Sequence, residues 1–258
     1  MYIGIMKGNR IYWVDNARAL AMISMVAYHT MWDLVYLYGM KAEWYHGDMA
    51  FVWQQSICWS FILLAGFCSN ISKNPVKQGT IVSFWGIVVM VVTQSLMPGN
   101  GVWFGVLTLI GSCYFLMALV KPVLHKIPAW SGLICSAVCF ALTYHLAEGS
   151  VGVFGTTVLH VPRYMYANLF TAYLGFPQRG FFSTDYFPIF PWVFLFFCGV
   201  FAYSLWANYR PSILENCNIR IPVLSRLGQF ALVIYVLHQP IIYGVLEGIH
   251  FLQHRTFF

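Results

Sequence analysis

Three long stretches of this chain contain no acidic or basic side chain, and this feature most restricts what the chain can fold into. They cover residues 81–96, 102–120 and 189–207. Each approaches the roughly 20 residues that an α-helix needs to cross a ~30 Å hydrocarbon core. Only 9% of the 258 residues are charged, against about 25% in soluble domains. The sequence therefore predicts an all-α, polytopic bundle of transmembrane helices.

The apolar segments, and the Gly and Pro residues between them, predict about seven spans in a single domain over residues 1–258. The first apolar stretch is too long for a signal peptide, so we expect it to be retained as a span. The expected spans are 17–38, 50–71, 79–97, 102–120, 130–147, 186–207 and 228–250.

Residues 151–177 are apolar enough to form an eighth span. Arg163 lies near their middle, and an unpaired arginine at that depth costs at least ~2.5 kcal/mol. We therefore expect an external loop here, with an interfacial or re-entrant helix near residues 164–176.

The distribution of basic residues predicts the orientation in the membrane. If the N-terminus is cytoplasmic, ten of the fourteen lysines and arginines lie on the cytoplasmic side, as the positive-inside rule requires. The C-terminus is then external. The net charge of +6 reflects this pattern, so we do not expect binding to nucleic acid. The expected location is the lipid bilayer of the cell membrane, as a multi-pass protein.

One face of the first predicted span is polar. Its residues recur every three or four positions and fall within one helical arc at about 100° per residue. With a rise of about 1.5 Å per residue, His29 lies ~16 Å above Arg18, near mid-bilayer. Ionisable residues at this depth usually mark a functional path, although a structural histidine capped by Asp33 is the alternative. The stripe comprises Asp15, Arg18, Met22, Met25, His29 and Asp33.

Three residues outside this span are further candidates. His238 lies ~18 Å beyond Arg226 on the last predicted span, so it should reach the depth of His29 and form either an acid–base pair or a structural contact. His46 lies in the first external loop, where an exposed histidine without a role is the alternative. Asp185 opens the sixth span, where it either caps that helix or points a carboxylate into the external mouth.

Six short motifs follow one another along the chain. The first has the form R-x4-D-x2-R at Arg10, Asp15 and Arg18, and the last contains His238. As an ordered set they resemble the heparan-α-glucosaminide N-acetyltransferase-like family of membrane acyltransferases, in its short bacterial form. The motifs cover residues 10–22, 25–34, 61–66, 104–111, 183–192 and 227–240.

Two positions depart from the family pattern. Ala19 replaces the glycine that usually follows the arginine of the first motif. Thr108 stands where many short members have a histidine, so no role of that histidine is transferred.

The resemblance implies transfer of an acyl group, usually acetyl, from cytosolic acyl-CoA to an amine or hydroxyl of an external sugar or glycan. Acetyl-CoA is then a cosubstrate. We expect His29 to be the catalytic base and Asp33 to orient it, with His238 and His46 in reserve. The candidates for contacts with CoA are Arg10, Asp15, Arg18 and Arg226. The candidates for contacts with the acceptor are Trp32, Trp44, Asp185 and Tyr186.

Other functions stay open at this point. A proton-coupled transporter could use His29, Asp33 and His238 as a relay, although the chain lacks the internal repeat and paired broken spans typical of transporters. O-acylation of a surface polysaccharide is a second alternative, and a scaffold without chemistry is a third. The sequence contains no recognised metal-binding motif, and it leaves a homodimer open.

Overall fold

The computed structural model describes residues 11–97, 99–153, 156–209 and 218–255. Within them most of the chain is α-helical, and a single two-stranded antiparallel hairpin interrupts the helices. The strands are β1 Ser150–Val153 and β2 Thr156–His160. The helices are α1 Tyr12–Tyr36, α2 Asp48–Ser69, α3 Pro75–Leu96, α4 Val106–Leu124, α5 Ala129–Thr143, α6 Leu169–Leu174, α7 Ile189–Tyr209, α8 Pro222–Gln229 and α9 Ala231–Arg255.

Six of the described helices are long and apolar enough to cross a membrane. They are α2, α3, α4, α5 with the turn after it, α7 and α9, and they confirm the all-α polytopic bundle. The 25-residue helix α1 is not among the six. It carries Asp15, Arg18 and Asp33, which lower its apolar character. A seventh span and a cytoplasmic N-terminus therefore stay predictions.

Local sequence signals explain where several helices begin. The side chain of Asn74 accepts a hydrogen bond from the backbone N–H of Lys77 (2.9 Å), and a proline opens α3. Asn168 caps the short helix α6 in the same way, and the hydroxyl oxygen of Thr171 accepts in return from the backbone N–H of Asn168, which completes a capping box. Both arrangements satisfy backbone donors that a helix N-terminus leaves without partners.

The described residues of the segment 151–177 contain no spanning helix. Residues Ser150–Val153 pair with Thr156–His160 in the hairpin, and the six-residue helix α6 follows. The short helix confirms the helix expected near 164–176, while its position relative to the bilayer stays a prediction. The hairpin was not predicted, because its strands are too short to show a periodic pattern. Their valine and threonine residues are a weak signal for strands.

The described chain forms two compact units. Of the described residues, the first comprises 11–61 and 218–255, and the second comprises 62–97, 99–153 and 156–209. The first unit contains α1, most of α2, α8 and α9. The second contains the end of α2, helices α3 to α7 and the hairpin.

Within the second unit, α2 and α7 pack backbone against backbone. A Cβ atom on Gly66 would collide with the carbonyl oxygen of Phe196, and one on Gly199 would collide with the carbonyl of Leu63. Small residues at such crossings let helices approach closely, which is how transmembrane helices commonly associate.

Within the first unit, α1 is held against α8 and α9. A Cβ atom on Gly228 of α8 would collide with the carbonyl of Asp15, so the two helices touch at this glycine. Beside it, Ser225 donates a buried hydrogen bond to Asn16 (2.7 Å). The polar stripe of α1 faces this packing, since its members Asp15, Met22, Met25 and Asp33 are all buried.

Candidate functional site

The structure corrects the position of Arg226. The sequence placed it on the same helix as His238, about 18 Å below it. In the structure α8 ends at Gln229, Phe230 forms a turn, and α9 begins at Ala231. Gly228, two residues before the turn, is the point at which α8 touches α1. The rise along a single helix therefore does not describe the distance from Arg226 to His238.

Two histidines from different helices meet in the first unit. The rings of His29 on α1 and His238 on α9 have centroids 4.9 Å apart and planes inclined at 56°. The sequence predicted comparable depth for the two residues, and the fold adds that they face each other.

The hydrogen bond of His238 assigns its tautomer. Its Nδ1 lies 2.6 Å from the backbone carbonyl of Tyr235. Because a carbonyl only accepts hydrogen bonds, Nδ1 carries the proton, and Nε2 of the neutral ring keeps its lone pair. That Nε2 is buried and has no hydrogen-bond partner among the described residues. The ring is therefore arranged as a base, because Nε2 is free to accept a proton.

The carboxylate of Asp33 contacts a residue that the sequence did not predict. Asp33 is fully buried, and Gln239 donates from Nε2 to its Oδ1 at 2.7 Å. In the described part of the chain no hydrogen bond joins Asp33 to His29, so the expected cap on the histidine does not form. The helical spacing placed the two side chains on one face, but the amide from α9 reaches the carboxylate instead.

Gln239 is thus a member of the cluster that sequence reasoning missed. The available signal was a polar amide beside His238 in the middle of an apolar span, where each polar group needs a partner. Three side-chain atoms of this cluster are buried without a hydrogen-bond partner in the described structure: Asp33 Oδ2, Gln239 Oε1 and His238 Nε2.

Aromatic residues surround the histidines on the α1 side. Tyr28 contacts His29 edge to face, with ring centroids 5.8 Å apart. The hydroxyl of Tyr45 donates to the carbonyl of Tyr28 at 2.8 Å. Burial raises the pKa of the Tyr45 hydroxyl, which keeps it a donor at any physiological pH.

The two tryptophans predicted to contact the acceptor lie in this aromatic group. Trp44 stacks on Trp53 with ring centroids 6.2 Å apart, and it is exposed. Trp32 packs against Tyr36 at 5.2 Å. The structure thus places both predicted residues in the unit that holds the histidine pair.

His46 differs from His238 in its hydrogen bonding. Its Nδ1 lies 3.2 Å from the hydroxyl of Tyr36, and both side chains are exposed. A hydroxyl both donates and accepts, so this contact does not assign the tautomer of His46. No contact in the described residues joins His46 to the histidine pair.

Three arginines of the first unit lie in two places. Arg18 pairs with Asp15 at 3.5 Å. Arg220 and Arg226 line an open depression of about 340 Å³ around α8, and the Arg220 guanidinium also lies 5.3 Å above the ring of Tyr12. Arg220 was not predicted as a candidate for contacts with CoA, because its position in a basic loop indicated only the orientation in the membrane. Arg10 lies outside the described residues.

In the second unit, Asp185 caps a different helix from the one predicted. Its carboxylate accepts from the backbone N–H of Val106 (3.4 Å), the first residue of α4. The sequence placed the cap on the helix that begins a few residues later, which is α7. The capping residue is distant in sequence from the helix that it caps, because the loop before α7 packs against the start of α4.

Tyr186 also makes a bond inside the second unit. Its hydroxyl donates to the carbonyl of Ala172 at 2.5 Å, and burial raises its pKa. These contacts give both Asp185 and Tyr186 a structural role. Their contact with an acceptor stays a prediction. No group of three potential metal ligands occurs in the part of the chain that the structure describes.

The apolar helices define a polytopic helical membrane protein, and His29, Asp33, His238 and Gln239 form a polar cluster between two of its helices. The family model described as heparan-alpha-glucosaminide N-acetyltransferase, catalytic, matches residues 10–240. The chain belongs to this family, and it is a membrane transferase of the acetyltransferase kind. No curated protein and no solved structure matches the chain. The homodimer gains no support from the described residues.

Proposed function

We propose that the protein transfers an acyl group, acetyl in the first instance, from cytosolic acetyl-CoA to an external sugar or glycan acceptor. The nucleophile is an amine or a hydroxyl, and the site of action is the cell membrane. The observation that carries the proposal is the contact of His29 with His238, whose buried Nε2 has its lone pair free. The family match supplies the reaction class.

The proposed chemistry needs a base that removes a proton from the acceptor. His238 Nε2 takes that proton as the acceptor nitrogen or oxygen attacks the thioester carbonyl. The new C–N or C–O bond forms, the C–S bond breaks, and the imidazolium returns the proton to the departing CoA sulfur. The assigned tautomer favours His238 over His29, which the sequence had favoured. His29, with its ring centroid 4.9 Å away, is then its partner.

The donor binds through its phosphates in this proposal. Arg220 and Arg226 line one depression, and guanidinium groups bind phosphate through paired hydrogen bonds. Arg18 and Asp15, paired on the buried stripe of α1, order the segment that α8 crosses. Arg10 keeps the role the sequence gave it, as a prediction.

Binding of radiolabelled acetyl-CoA to the purified protein in lipid nanodiscs tests the proposal. We expect saturable binding, and transfer of the label to an amino sugar such as glucosamine when it is added. A protein that binds no acetyl-CoA but carries protons across a liposome membrane would be a transporter, and the proposal would be wrong.

A further inference from the structure

The hairpin and the turn that follows it expose apolar side chains outside the spanning helices. Val158 of β2 has no partner on β1, so the strand bulges at this residue. Val158 and the adjacent Leu159 are 73% and 61% exposed, and Tyr164, in the turn at Arg163–Met165, is 80% exposed. Apolar side chains that are so exposed in one place usually mark an interaction surface. We call Val158, Leu159, Arg163 and Tyr164 the hairpin surface.

The segment that carries the hairpin surface is fixed to the ends of two spanning helices. β1 packs against α5, and the hydroxyl of Tyr166 donates to the carbonyl of Leu146, in the turn after α5, at 2.6 Å. A Cβ atom on Gly175 would lie 2.6 Å from the carbonyl oxygen of Phe190, so the residue after α6 touches the start of α7. Helices that cross a bilayer end near its headgroups. We therefore expect the hairpin surface at the level of the headgroups.

The backbone of β2 favours the membrane interface over the hydrocarbon core. The described hairpin has two strands, so one edge of β2 presents backbone N–H and C=O groups to no neighbouring strand. An open sheet edge is not tolerated in hydrocarbon, because nothing there can bond these groups. Headgroups and their water can bond them, and apolar side chains at the same level reach the boundary of the acyl chains.

The charge of the segment matches that of an anionic lipid. Residues 149–184 contain no aspartate or glutamate, but they include Arg163 and Arg179. Arg163 is exposed, and it lies next to Tyr164 within the hairpin surface. A guanidinium binds phosphate through paired hydrogen bonds, and a long arginine side chain can reach the headgroups while its methylene groups lie along apolar surface.

We propose that the hairpin surface inserts its apolar side chains into the membrane interface, where Arg163 binds the phosphate of an anionic phospholipid. The proposal does not depend on the proposed acyl transfer, because it concerns only residues of the second unit and a lipid of the surrounding bilayer.

Site-specific photo-crosslinking tests the proposal. The full chain carries p-benzoyl-phenylalanine in place of Tyr164, in nanodiscs that contain phosphatidylcholine and phosphatidylglycerol in a known ratio. After irradiation, mass spectrometry identifies the molecule attached at this position. We expect lipid adducts in which phosphatidylglycerol is enriched about five-fold over its share of the bilayer, which is the factor that one arginine near an anionic surface contributes.

The Arg163→Gln variant separates the effect of the arginine from that of the apolar residues. It keeps a long polar side chain at an exposed position, so we expect lipid adducts to persist while their ratio falls to that of the bilayer. Lys126→Gln is the matched control. It removes one exposed positive charge in the loop between α4 and α5, at the opposite end of α5 from the hairpin, and it should keep the enrichment.

The same photoreactive residue in place of Phe84 provides the reference for ordinary lipid contact. Phe84 is exposed in the middle of α3, and its adducts should follow the ratio of the bilayer in every variant. The absence of lipid adducts at Tyr164, or adducts there in the same ratio as at Phe84, would overturn the proposal. A covalent link from Tyr164 to a second copy of the chain would also overturn it, because the hairpin surface would then be a contact between proteins.

Discussion

Both units use glycines to bring helices into contact, as Gly228 of α8 does against Asp15 in the first, but they differ in the side chains that meet between their helices. In the second unit glycines bring backbones into contact, as at Gly66 against Phe196 and Gly199 against Leu63. In the first unit, side chains meet across α1 and α9 through hydrogen bonds and ring contacts, as in the His29–His238 pair. The first unit therefore places ionisable side chains between its helices in addition to such close packing.

This difference supports the proposal that the chemistry lies in the first unit. Buried polar atoms without partners are unfavourable, and they persist in native proteins where function uses them. Of the four such side-chain atoms in the described residues, three belong to the first unit. We infer that the second unit supports the structure and the first carries out the reaction.

The largest expected effect follows from removing the proposed base. His238→Ala should reduce turnover by about 10²–10⁴-fold, with acetyl-CoA binding and thermal stability preserved. His29→Ala should reduce turnover by a smaller factor if His29 only assists His238. The measurement is transfer of radiolabelled acetyl under saturating acetyl-CoA.

His145→Ala provides the control from the second unit. This histidine bonds Glu148 at an exposed site, and we expect normal turnover. If His46→Ala abolished turnover while His238→Ala did not, the base would be His46 and the assignment through α9 would be wrong.

Packing in the second unit predicts a loss of stability rather than of activity. Gly199→Ala places a Cβ atom against the backbone carbonyl of Leu63, and such overpacking costs about 1–3 kcal/mol or more. Gly244→Ala on α9 has open space around its Cβ and serves as the control. Thermal unfolding can be followed by labelling of the buried thiols of Cys113 and Cys198. Equal melting temperatures for the two variants would contradict the close packing.

Substitution of Arg220 or Arg226 should weaken only the binding of the acyl donor. Losing one charge-assisted hydrogen bond costs ~1.5–3 kcal/mol, so Arg220→Ala and Arg226→Ala should each weaken acetyl-CoA binding by roughly ten- to a hundred-fold. Arg163→Ala, in the second unit, should leave it unchanged. A folded Arg226→Ala protein with normal affinity would exclude this depression as the phosphate site.

The smallest effect concerns Asp185, for which capping and substrate binding predict different results. Loss of a cap costs about 0.5–2 kcal/mol, so Asp185→Ala should lower the melting temperature slightly. Asp185→Asn can still accept from Val106 and should be normal in both stability and acceptor KM. A raised acceptor KM in Asp185→Asn would restore the role that the sequence gave to this carboxylate.

Much of the fold followed from local patterns. The expected spans coincide with long helices because hydrophobic length and breaker residues are properties of consecutive residues. The short hairpin and the separate helix α8 were missed, since a few residues do not establish a period. The spacing along α1 predicted that Asp15, Met22, Met25 and Asp33 share one face, and all four are buried, whereas no local pattern predicted the contact of Gln239 with Asp33.

The sequence by itself determined that this protein is a helical membrane protein of the acetyltransferase family, with His29, Asp33 and His238 inside its helices. Only the tertiary structure decided that Asp33 bonds Gln239 rather than His29, that the two histidines touch, and that Asp185 caps α4. The reason is physical. Contacts along one helix follow from its fixed rise and rotation, whereas contacts between helices depend on how each is rotated and shifted against its neighbour.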